Sequence, residues 1–344
     1  MQRLETSPNT IKFLEKFAKY GVKNVSLPTL IPYNFFQKEK QHIQGFHPEF
    51  FQIQQIGEKK LTEPLVLRPT SEWCQVFRAE KNTKPFLRNT EFFWQEGHTL
   101  HETAEEAQKF AQKMWQEYQD YAEKNLCLAV IAGKKSKKEK FAGALESYAI
   151  ECLLPDGQCL QLATSHYFGD SFCQATGVKF QNKQNQFQHP FSTSWGTSTR
   201  AIGALALAHQ DERGLLLPFS IAPIQIAFVI VNPKNEPGIS EYQKELCQKL
   251  SSKYGYRFQF RDSHIYPEEE YELLKINTDV NKSGRKGLFV VAFCGNLKCE
   301  ETIPQKLPAY SIRCLSLTNN PKEREKCIFC AAPAVNYAFL GRSY

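Results

Sequence analysis

No apolar run in this sequence approaches the ~20 residues that a membrane-spanning helix needs, which excludes a helical membrane protein. The opening segment, MQRLETSPNTIKF, has no apolar core of the kind that marks a signal peptide. There is also no repeat of fixed period and no low-complexity tract. We therefore expect a cytoplasmic protein with no membrane partner.

A length of 344 residues allows two or three domains with ample core. The hydrophobic content of 42% and the 26 phenylalanines are typical of a soluble globular protein. The formal net charge of +7 is mild. It permits contact with a polyanion such as RNA, although many enzymes with other partners carry a similar charge.

Eleven cysteines should be buried thiols or metal ligands, rather than disulfides, in a reducing compartment. Cys294, Cys299, Cys327 and Cys330 form the pattern C-x4-C-x27-C-x2-C. Four thiolates suit tetrahedral Zn²⁺ in a closed structural site, and the alternative is four core thiols without metal. The other seven show no ligand spacing and are expected to be small core residues: Cys74, Cys127, Cys152, Cys159, Cys173, Cys247 and Cys314.

Two kinds of pattern predict the main elements of the first part of the chain. Residues 62–98 alternate strand-like runs with a turn at 81–85, and two further strands, over 149–162 and 163–172, are expected to meet at a turn. A long helix should begin at a capping-box signature formed by Thr103 and Glu106. Its apolar face would consist of Ala107, Phe110, Ala111, Met114, Trp115 and Tyr118.

The pattern changes from Ile224 onward. IQIAFVIV reads as a continuous buried strand, a helical pattern follows it, and YRFQF reads as another strand. This order predicts a β-α-β unit and hence a second domain with a parallel sheet.

Charged and aromatic residues concentrate in LRPTSEWCQVFRAEKNTKPFLRNTEFFWQEGHTLH, residues 67–101, over about one antiparallel hairpin. Two arginines can straddle a polyphosphate, carboxylates can hold an ammonium group and a metal ion, and aromatic walls can hold a small apolar side chain. These groups indicate a site that joins an amino acid to a nucleotide. They are Thr70, Glu72, Arg78, Glu80, Arg88, Trp94, Glu96 and His98.

Taken singly, these residues have more ordinary explanations. Arg78 with Glu80 would more often be a surface salt bridge, and Trp94 would be part of a core. The basic run KKSKKEK at 134–140 would be a solvated loop, with contact to an RNA backbone as the alternative. The functional interpretation depends on the occurrence of the motifs together, in one order.

That order resembles the prolyl-tRNA synthetases, class II aminoacyl-tRNA synthetases, in the form found in archaea, eukaryotes and some bacteria. The strings are LRPTSE, FRAE, PFLRNTEFFWQEGHT, EKFAGA, ATSHYFGDSF, TSWGTSTRAIG and GLLLP, followed by a Cys-rich tail ending in Tyr344. The resemblance implies an α+β class II catalytic domain over 1–220, an antiparallel sheet with flanking helices. An α/β anticodon-binding domain over 221–263 and a small α+β zinc-binding domain over 264–344 would follow.

The chain departs from the family pattern in length. Segments of the family are missing at the Glu72–Trp73 and Ser263–His264 junctions, and the N-terminal motif is short. The anticodon-binding domain therefore looks truncated. No large editing insertion fits between Thr103 and Ala163.

The resemblance also implies an activity, that of a proline–tRNA ligase. Proline and ATP, with Mg²⁺ bridging the phosphates, would give prolyl-adenylate, and the prolyl group would pass to the 3′ end of its tRNA. A homodimer is expected. Two alternatives remain: an inactive paralogue that binds tRNA or a protein, and an enzyme that loads a carrier protein.

Residue roles follow from the same resemblance. The catalytic arginines would be Arg78 on the α-phosphate, Arg88 on the outer phosphates and Arg200 on the γ-phosphate. ATP would also contact Glu80, Asn89, Gln161, Thr164 and Ser198. Proline would be bound by Thr70, Glu72, Arg78, Trp94, Glu96, His98, His166 and Phe172. Zinc would be bound by Cys294, Cys299, Cys327 and Cys330, and the carboxylate of Tyr344 would fold toward the catalytic domain.

Overall fold

A sheet of nine strands organises most of the residues that the computed structural model describes. The described residues are 16–25, 27–34, 50–69, 74–212, 214–230, 238–254, 258–262, 288–317, 320–322 and 325–343. The chain divides into two compact units, one of residues 1–215 with 285–344 and the other of residues 216–284.

The strands and helices are numbered in chain order. The strands are β1 (Leu30–Pro32), β2 (Gln52–Ile56), β3 (Lys59–Leu67), β4 (Cys74–Phe77), β5 (Glu91–His101), β6 (Val130–Lys134), β7 (Glu146–Leu153), β8 (Gln158–Gly169), β9 (Phe180–Gln181), β10 (Phe187–Gln188), β11 (Phe191–Ser198), β12 (Gln210–Asp211), β13 (Gly214–Leu215), β14 (Ile226–Ile230), β15 (Phe258–Asp262), β16 (Phe289–Phe293), β17 (Tyr310–Leu315) and β18 (Asn336–Ser343). The helices are α1 (Ala104–Lys124), α2 (Ser171–Thr176), α3 (Arg200–Ala208), α4 (Ile239–Tyr254), α5 (Leu297–Glu301) and α6 (Ile303–Lys306). Among the described helices, none is both long and apolar enough to cross a membrane.

In the first unit the strand order is β16-β18-β17-β6-β7-β8-β11-β5-β4, and neighbours in this order run antiparallel. A separate antiparallel sheet has the order β1-β3-β2. The expected hairpin is present, since β4 pairs with β5 from Cys74 opposite Trp94 to Phe77 opposite Glu91. The predicted antiparallel sheet with flanking helices is thus confirmed.

Helix α1 covers one face of this sheet, against β5, β7, β8 and β11. The predicted cap is present, because the Thr103 hydroxyl accepts a hydrogen bond from the Glu106 amide (3.2 Å). The Trp115 indole N–H donates to the Ala149 carbonyl (3.0 Å), which fixes the helix on β7. The apolar face of α1 is buried at Ala107, Ala111, Met114, Trp115, Tyr118 and Ala122.

The boundary predicted between residues 162 and 163 is wrong. Strand β8 runs through it without a break, and the turn lies earlier, at 154–157. Gly157 has φ +79°, and the Asp156 carboxylate accepts a hydrogen bond from the Gln158 amide (3.0 Å). An Asp–Gly pair is the local signal for such a turn.

The C-terminal residues extend the same sheet. β17 pairs with β6 at Leu315 and Lys134, and the end of β18 runs parallel to β8. Close approach requires Gly133, where a Cβ would lie 2.6 Å from the Leu315 carbonyl oxygen. The structure therefore places residues 285–344 in the first unit, whereas the sequence predicted a separate domain over 264–344. The open edge of a sheet can accept further strands.

The second unit contains the predicted β-α-β arrangement. Strands β14 and β15 pair in parallel from Ile226 opposite Phe258 to Ile230 opposite Asp262. Helix α4 lies between them in sequence, as a parallel crossover requires. The unit spans 216–284, against a predicted domain of 221–263.

Candidate active site

A cavity of about 600 Å³ is lined by residues of β5, β8 and β11. On β5, alternate residues line it because side chains two apart in a strand point to the same side. Arg78 follows β4, and Arg200 is the first residue of α3. The structure therefore brings to one cavity ten of the predicted site residues: Arg78, Trp94, Glu96, His98, Gln161, Thr164, His166, Phe172, Ser198 and Arg200.

Contacts on several sides hold the guanidinium group of Arg78. Its Nε donates to the Pro69 carbonyl oxygen (3.0 Å), and its Cζ lies 5.4 Å from the centre of the Phe92 ring and 5.3 Å from that of Trp94. Burial lowers the pKa of Arg78, the negative charge of Glu96 opposes this shift, and the like charge of Arg200 adds to it. An anion placed against both groups would relieve this repulsion.

Arg200 connects α3 to two other elements. Its Nε donates to the Leu87 carbonyl oxygen (3.0 Å), and its Nη1 lies 3.5 Å from the Gln161 carbonyl oxygen on β8. Burial lowers the pKa of Arg200, followed by the nearby charge of Arg88. The turn that carries Arg88 is closed by two backbone hydrogen bonds with Lys84 (2.8 and 2.9 Å). The charge of Arg200 therefore interacts both with that of Arg78 and with that of Arg88.

A smaller cavity of about 230 Å³ shares part of its wall with the first. Arg88 lines this cavity, whereas Glu80 and Asn89 line neither. The Glu80 carboxylate lies 4.0 Å from Arg88 Nη1. Thr70 and Glu72 lie outside the described residues, as does Tyr344, and their roles stay predictions. The smaller cavity is lined by Leu87, Arg88, Lys135, Glu139, Cys159, Leu160, Gln161, Arg200 and Arg313.

His166 lies in the part of the large cavity that is richest in aromatic side chains. Its Nδ1 shares a hydrogen bond with the Ser147 hydroxyl (2.8 Å), and its ring lies 5.1 Å from Phe141 and 5.9 Å from Phe168. Burial lowers the pKa of His166 to about 4. The imidazole is therefore neutral at pH 7 and can accept or donate a hydrogen bond without bringing a charge.

The carboxylate of Glu96 lines the same cavity as these aromatic side chains. Glu96 Oε2 lies 3.3 Å from His98 Nε2, and Phe172 packs against Phe168 at 5.1 Å between ring centres. A carboxylate beside apolar rings suits a small ligand with an ammonium group and an apolar body.

Sequence reasoning missed much of the cavity wall, including the polar or aromatic side chains of Lys135, Phe141, Ser147 and Phe168. Phe168 had a signal, since it lies two residues beyond His166 on β8 and so points to the same side. Ser147 and Lys135 had none, because their position depends on the pairing of β6 with β7.

The four predicted zinc ligands come together in the C-terminal residues. All four Sγ atoms lie within 4.8 Å of one another, with 3.7 Å between Cys299 and Cys327 and 3.6 Å between Cys330 and Cys294. A tetrahedron of Zn–S bonds of ~2.3 Å has sulfur–sulfur edges of about 3.8 Å. The observed distances fit that geometry.

Comparison with known proteins agrees with this description. Residues 50–209 match the family model for the tRNA synthetase class II core domain (G, H, P, S and T), and residues 279–344 match the model for the prolyl-tRNA synthetase C-terminal region. The prolyl-tRNA synthetase of Cryptosporidium parvum, solved with halofuginone and AMPPNP, has a TM-score of 0.82 at 24% identity, covering 98% of this chain and 88% of that chain. That of Giardia lamblia, solved with prolyl-adenylate, has a TM-score of 0.83 at 24% identity, covering 96% and 90%. Fold and site together define a class II aminoacyl-tRNA synthetase core.

Comparison with curated proteins identifies the family within this class. The proline–tRNA ligase of Ruminiclostridium cellulolyticum is 35% identical over 423 residues, covering 96% of this chain and 87% of that protein. That of Mycoplasma mycoides subsp. mycoides is 47% identical over 260 residues, covering 69% of this chain and 54% of that protein. The chain belongs to the prolyl-tRNA synthetase family.

Its length differs from that of these relatives. The chain spans about half of the length of several relatives that it matches. It covers 54% of the M. mycoides protein and 56% of the proline–tRNA ligase of Mesoplasma florum. The alignment with the R. cellulolyticum protein extends over 423 positions although this chain has 344 residues, so that protein has segments without a counterpart here. The two predicted junctions, 72–73 and 263–264, lie outside the described residues.

Proposed function

We propose that this chain is a proline–tRNA ligase, which converts proline and ATP into prolyl-adenylate and pyrophosphate and transfers the prolyl group to the 3′ end of tRNA(Pro). The observation that carries the proposal is one cavity with two half-buried arginines beside a carboxylate and aromatic walls, in a member of this family. The related G. lamblia protein was solved with prolyl-adenylate.

The nucleotide would bind where the arginines meet. Attack of the proline carboxylate on the α-phosphate needs little proton transfer, so catalysis is positioning and electrostatic stabilisation. Arg78 would hold the α-phosphate, with Arg200 and Arg88 on the outer phosphates. Gln161, Thr164 and Ser198 would contact the rest of ATP, and Glu80 and Asn89 would act next to Arg88. Mg²⁺ would be held mostly by phosphate and water.

Proline would bind among the aromatic side chains. The rings of Trp94 and Phe172 would form walls for the pyrrolidine ring, with Glu96 and His98 beside them. Neutral His166, fixed by Ser147, would offer a hydrogen bond at no cost in charge burial. Thr70 and Glu72 would bind the secondary ammonium group.

The remaining partners are a metal ion, tRNA and a second subunit. The donor set of four thiolates is that of structural Zn²⁺, which would stabilise the C-terminal residues and take no part in the chemistry. The tRNA would be bound by the β-α-β unit and by Lys137 and Lys138, the exposed lysines of the basic segment 134–140. We further propose a cytoplasmic homodimer.

Proline-dependent exchange between ATP and labelled pyrophosphate tests the activity. Exchange should require proline and should be absent with other amino acids at equal concentration, and charging of tRNA(Pro) should follow. Intact tRNA binding without any exchange would instead identify an inactive paralogue. If exchange occurs but the prolyl group passes to a carrier protein and not to tRNA, the proposal that tRNA is the acceptor would be rejected.

A further inference from the structure

The described residues include a buried cluster of charges between the C-terminal residues and the catalytic sheet. Glu151 on β7 is fully buried and lies between two cations. Its Oε1 is 2.5 Å from Lys135 Nζ, and its Oε2 is 3.0 Å from Arg313 Nη2. Arg313 also places Nη2 3.1 Å from Oε1 and Nε 3.3 Å from Oε2, so the guanidinium grips both carboxylate oxygens.

Two irregularities of the sheet lie next to these side chains. In the pairing of β17 with β18, Ile312 faces Leu340 and Cys314 faces Phe339, which leaves Arg313 as the extra residue of a bulge. In the pairing of β7 with β8, Ile150 faces Ala163 and Glu151 faces Gln161, so the register shifts next to Glu151 and the extra residue is Leu162 on β8. A bulge redirects a side chain that regular alternation would send elsewhere.

The cluster touches both cavities. Lys135 lines the large and the small cavity, and Arg313 lines the small one together with Arg88 and Arg200. A buried carboxylate with a single cation would neutralise that cation. With a second cation on the other side of Glu151, Lys135 and Arg313 carry more positive charge than Glu151 neutralises. The carboxylate of Glu139 also lines the small cavity, but four cations line it as well: Arg88, Lys135, Arg200 and Arg313.

We propose that Arg313 is a positioning residue for the phosphate end of the nucleotide site: it binds Glu151, and so lets the Lys135 ammonium group act as a further cation toward the polyphosphate. The C-terminal residues thereby contribute to nucleotide binding through β17. This inference rests on the proposed use of ATP, but not on the identity of the amino acid or on turnover.

Glu151 also reaches the arginine of α3. Its charge raises the pKa of Arg200, whereas burial and Arg88 lower it. Loss of Arg313 would leave the negative charge of Glu151 less neutralised. Lys135 and Arg200 would then be attracted more strongly to Glu151 and less strongly to the ligand. If the ion pair served only to stabilise the fold, its loss would not weaken the binding of a polyphosphate more than that of other ligands.

The test compares binding of AMPPNP with binding of AMP by calorimetry, using the full chain. Arg313→Met should raise the Kd for AMPPNP about ten-fold, the size of one lost charge-assisted hydrogen bond, and should change the Kd for AMP less than about two-fold. Arg313→Lys keeps the charge without the two-point grip and should give an increase of about three-fold for AMPPNP. Lys322→Met removes a charge from an exposed position of the same C-terminal residues and should change neither value.

A second variant tests the route through Lys135. Lys135→Met should weaken AMPPNP binding, and adding Arg313→Met to it should cause little further loss, since the two act in series. Equal weakening of AMPPNP and AMP, or full additivity of the two substitutions, would overturn the proposal. If Arg313→Met does not fold, the comparison of Arg313→Lys with the unchanged chain takes its place as the test. Unchanged AMPPNP binding by Arg313→Lys would overturn the proposal.

The same titrations separate this inference from the proposed function. AMPPNP binding by the unchanged chain without proline-dependent exchange would reject the ligase while leaving Arg313 testable. Absence of AMPPNP binding in the unchanged chain would reject both.

Discussion

Replacement of Arg78 by methionine should remove most adenylate formation while the chain still folds. The Nε of Arg78 donates to the Pro69 carbonyl, its guanidinium group lies over the rings of Phe92 and Trp94, and the described residues make no hydrogen bond to its two terminal nitrogens. Those nitrogens form the fork that would grip the α-phosphate, where charge builds in the transition state.

The expected effects on rate and on stability follow from the interactions that are lost in the transition state and in the folded chain, respectively. Removal of a positioned donor to a developing anion costs about 2.7–4 kcal/mol, or about 10²–10³-fold in rate. The folded chain loses one hydrogen bond to a carbonyl, about 1 kcal/mol, and the attraction of Arg78 to Glu96, but is relieved of a desolvated charge that is repelled by Arg200. The rate should therefore fall far more than stability does.

Pyrophosphate exchange at saturating proline and ATP measures the rate, and chemical denaturation measures the stability. Arg68→Met is a matched control, because Arg68, which is buried, also donates through Nε to a proline carbonyl (Pro28, 2.8 Å), yet it lines neither cavity. An exchange rate for Arg78→Met within about five-fold of the unchanged chain, or an equal fall in both variants, would refute a catalytic contact.

Three further predictions concern charge, metal and packing. The pKa of His166 is about 4 when folded against an ordinary 6.5, so its stabilisation is present above pH 6.5 and is lost as the pH falls toward 4; denaturation curves should lose about 2 kcal/mol between pH 6.5 and 4.5 through this group, and His166→Gln should lack that loss. The double substitution Cys327→Ser and Cys330→Ser should reduce zinc from about one per chain to near zero by elemental analysis and lower the thermal midpoint. Gly97→Ala should destabilise the chain by about 2–3 kcal/mol, since its Cβ would lie 2.3 Å from Cζ2 of the fully buried Trp195.

Each of these has an outcome that would contradict it. An unchanged pH dependence in His166→Gln would show that another group titrates. Full zinc content in the double serine variant would mean that the ligand set is different. For Gly97→Ala the control is Gly196→Ala, whose Cβ would meet the Gln95 carbonyl oxygen at 3.2 Å, and an equal effect of the two would argue against the Trp195 clash.

Much of the fold follows from local signals in the sequence. Short segments of sequence predict three features: the cap at Thr103, the apolar stripe of α1 and the β-α-β order after Ile224. The course of the C-terminal residues is not, because strand alternation predicts a strand without saying which open edge it joins. The junction between β17 and β6 depends on Gly133 and Leu315, which are far apart in the chain.

The candidate site divides in the same way. Trp94, Glu96 and His98 were predictable as neighbours because they alternate along one strand. Lys135 and Arg313 were not, since the first depends on the pairing of β6 with β7 and the second on a bulge that no composition rule marks. Long-range strand pairing decides these contacts, and a single sequence does not encode it in any local pattern.

A single-turnover experiment tests the proposed chemistry most directly. The purified chain, incubated in excess with proline and ATP and without tRNA, should form bound prolyl-adenylate and release an equal amount of pyrophosphate, as read by mass spectrometry of the quenched mixture. Recovery of intact ATP with no adenylate, from a chain that is folded and binds AMPPNP, would contradict the proposal that this shortened family member activates proline.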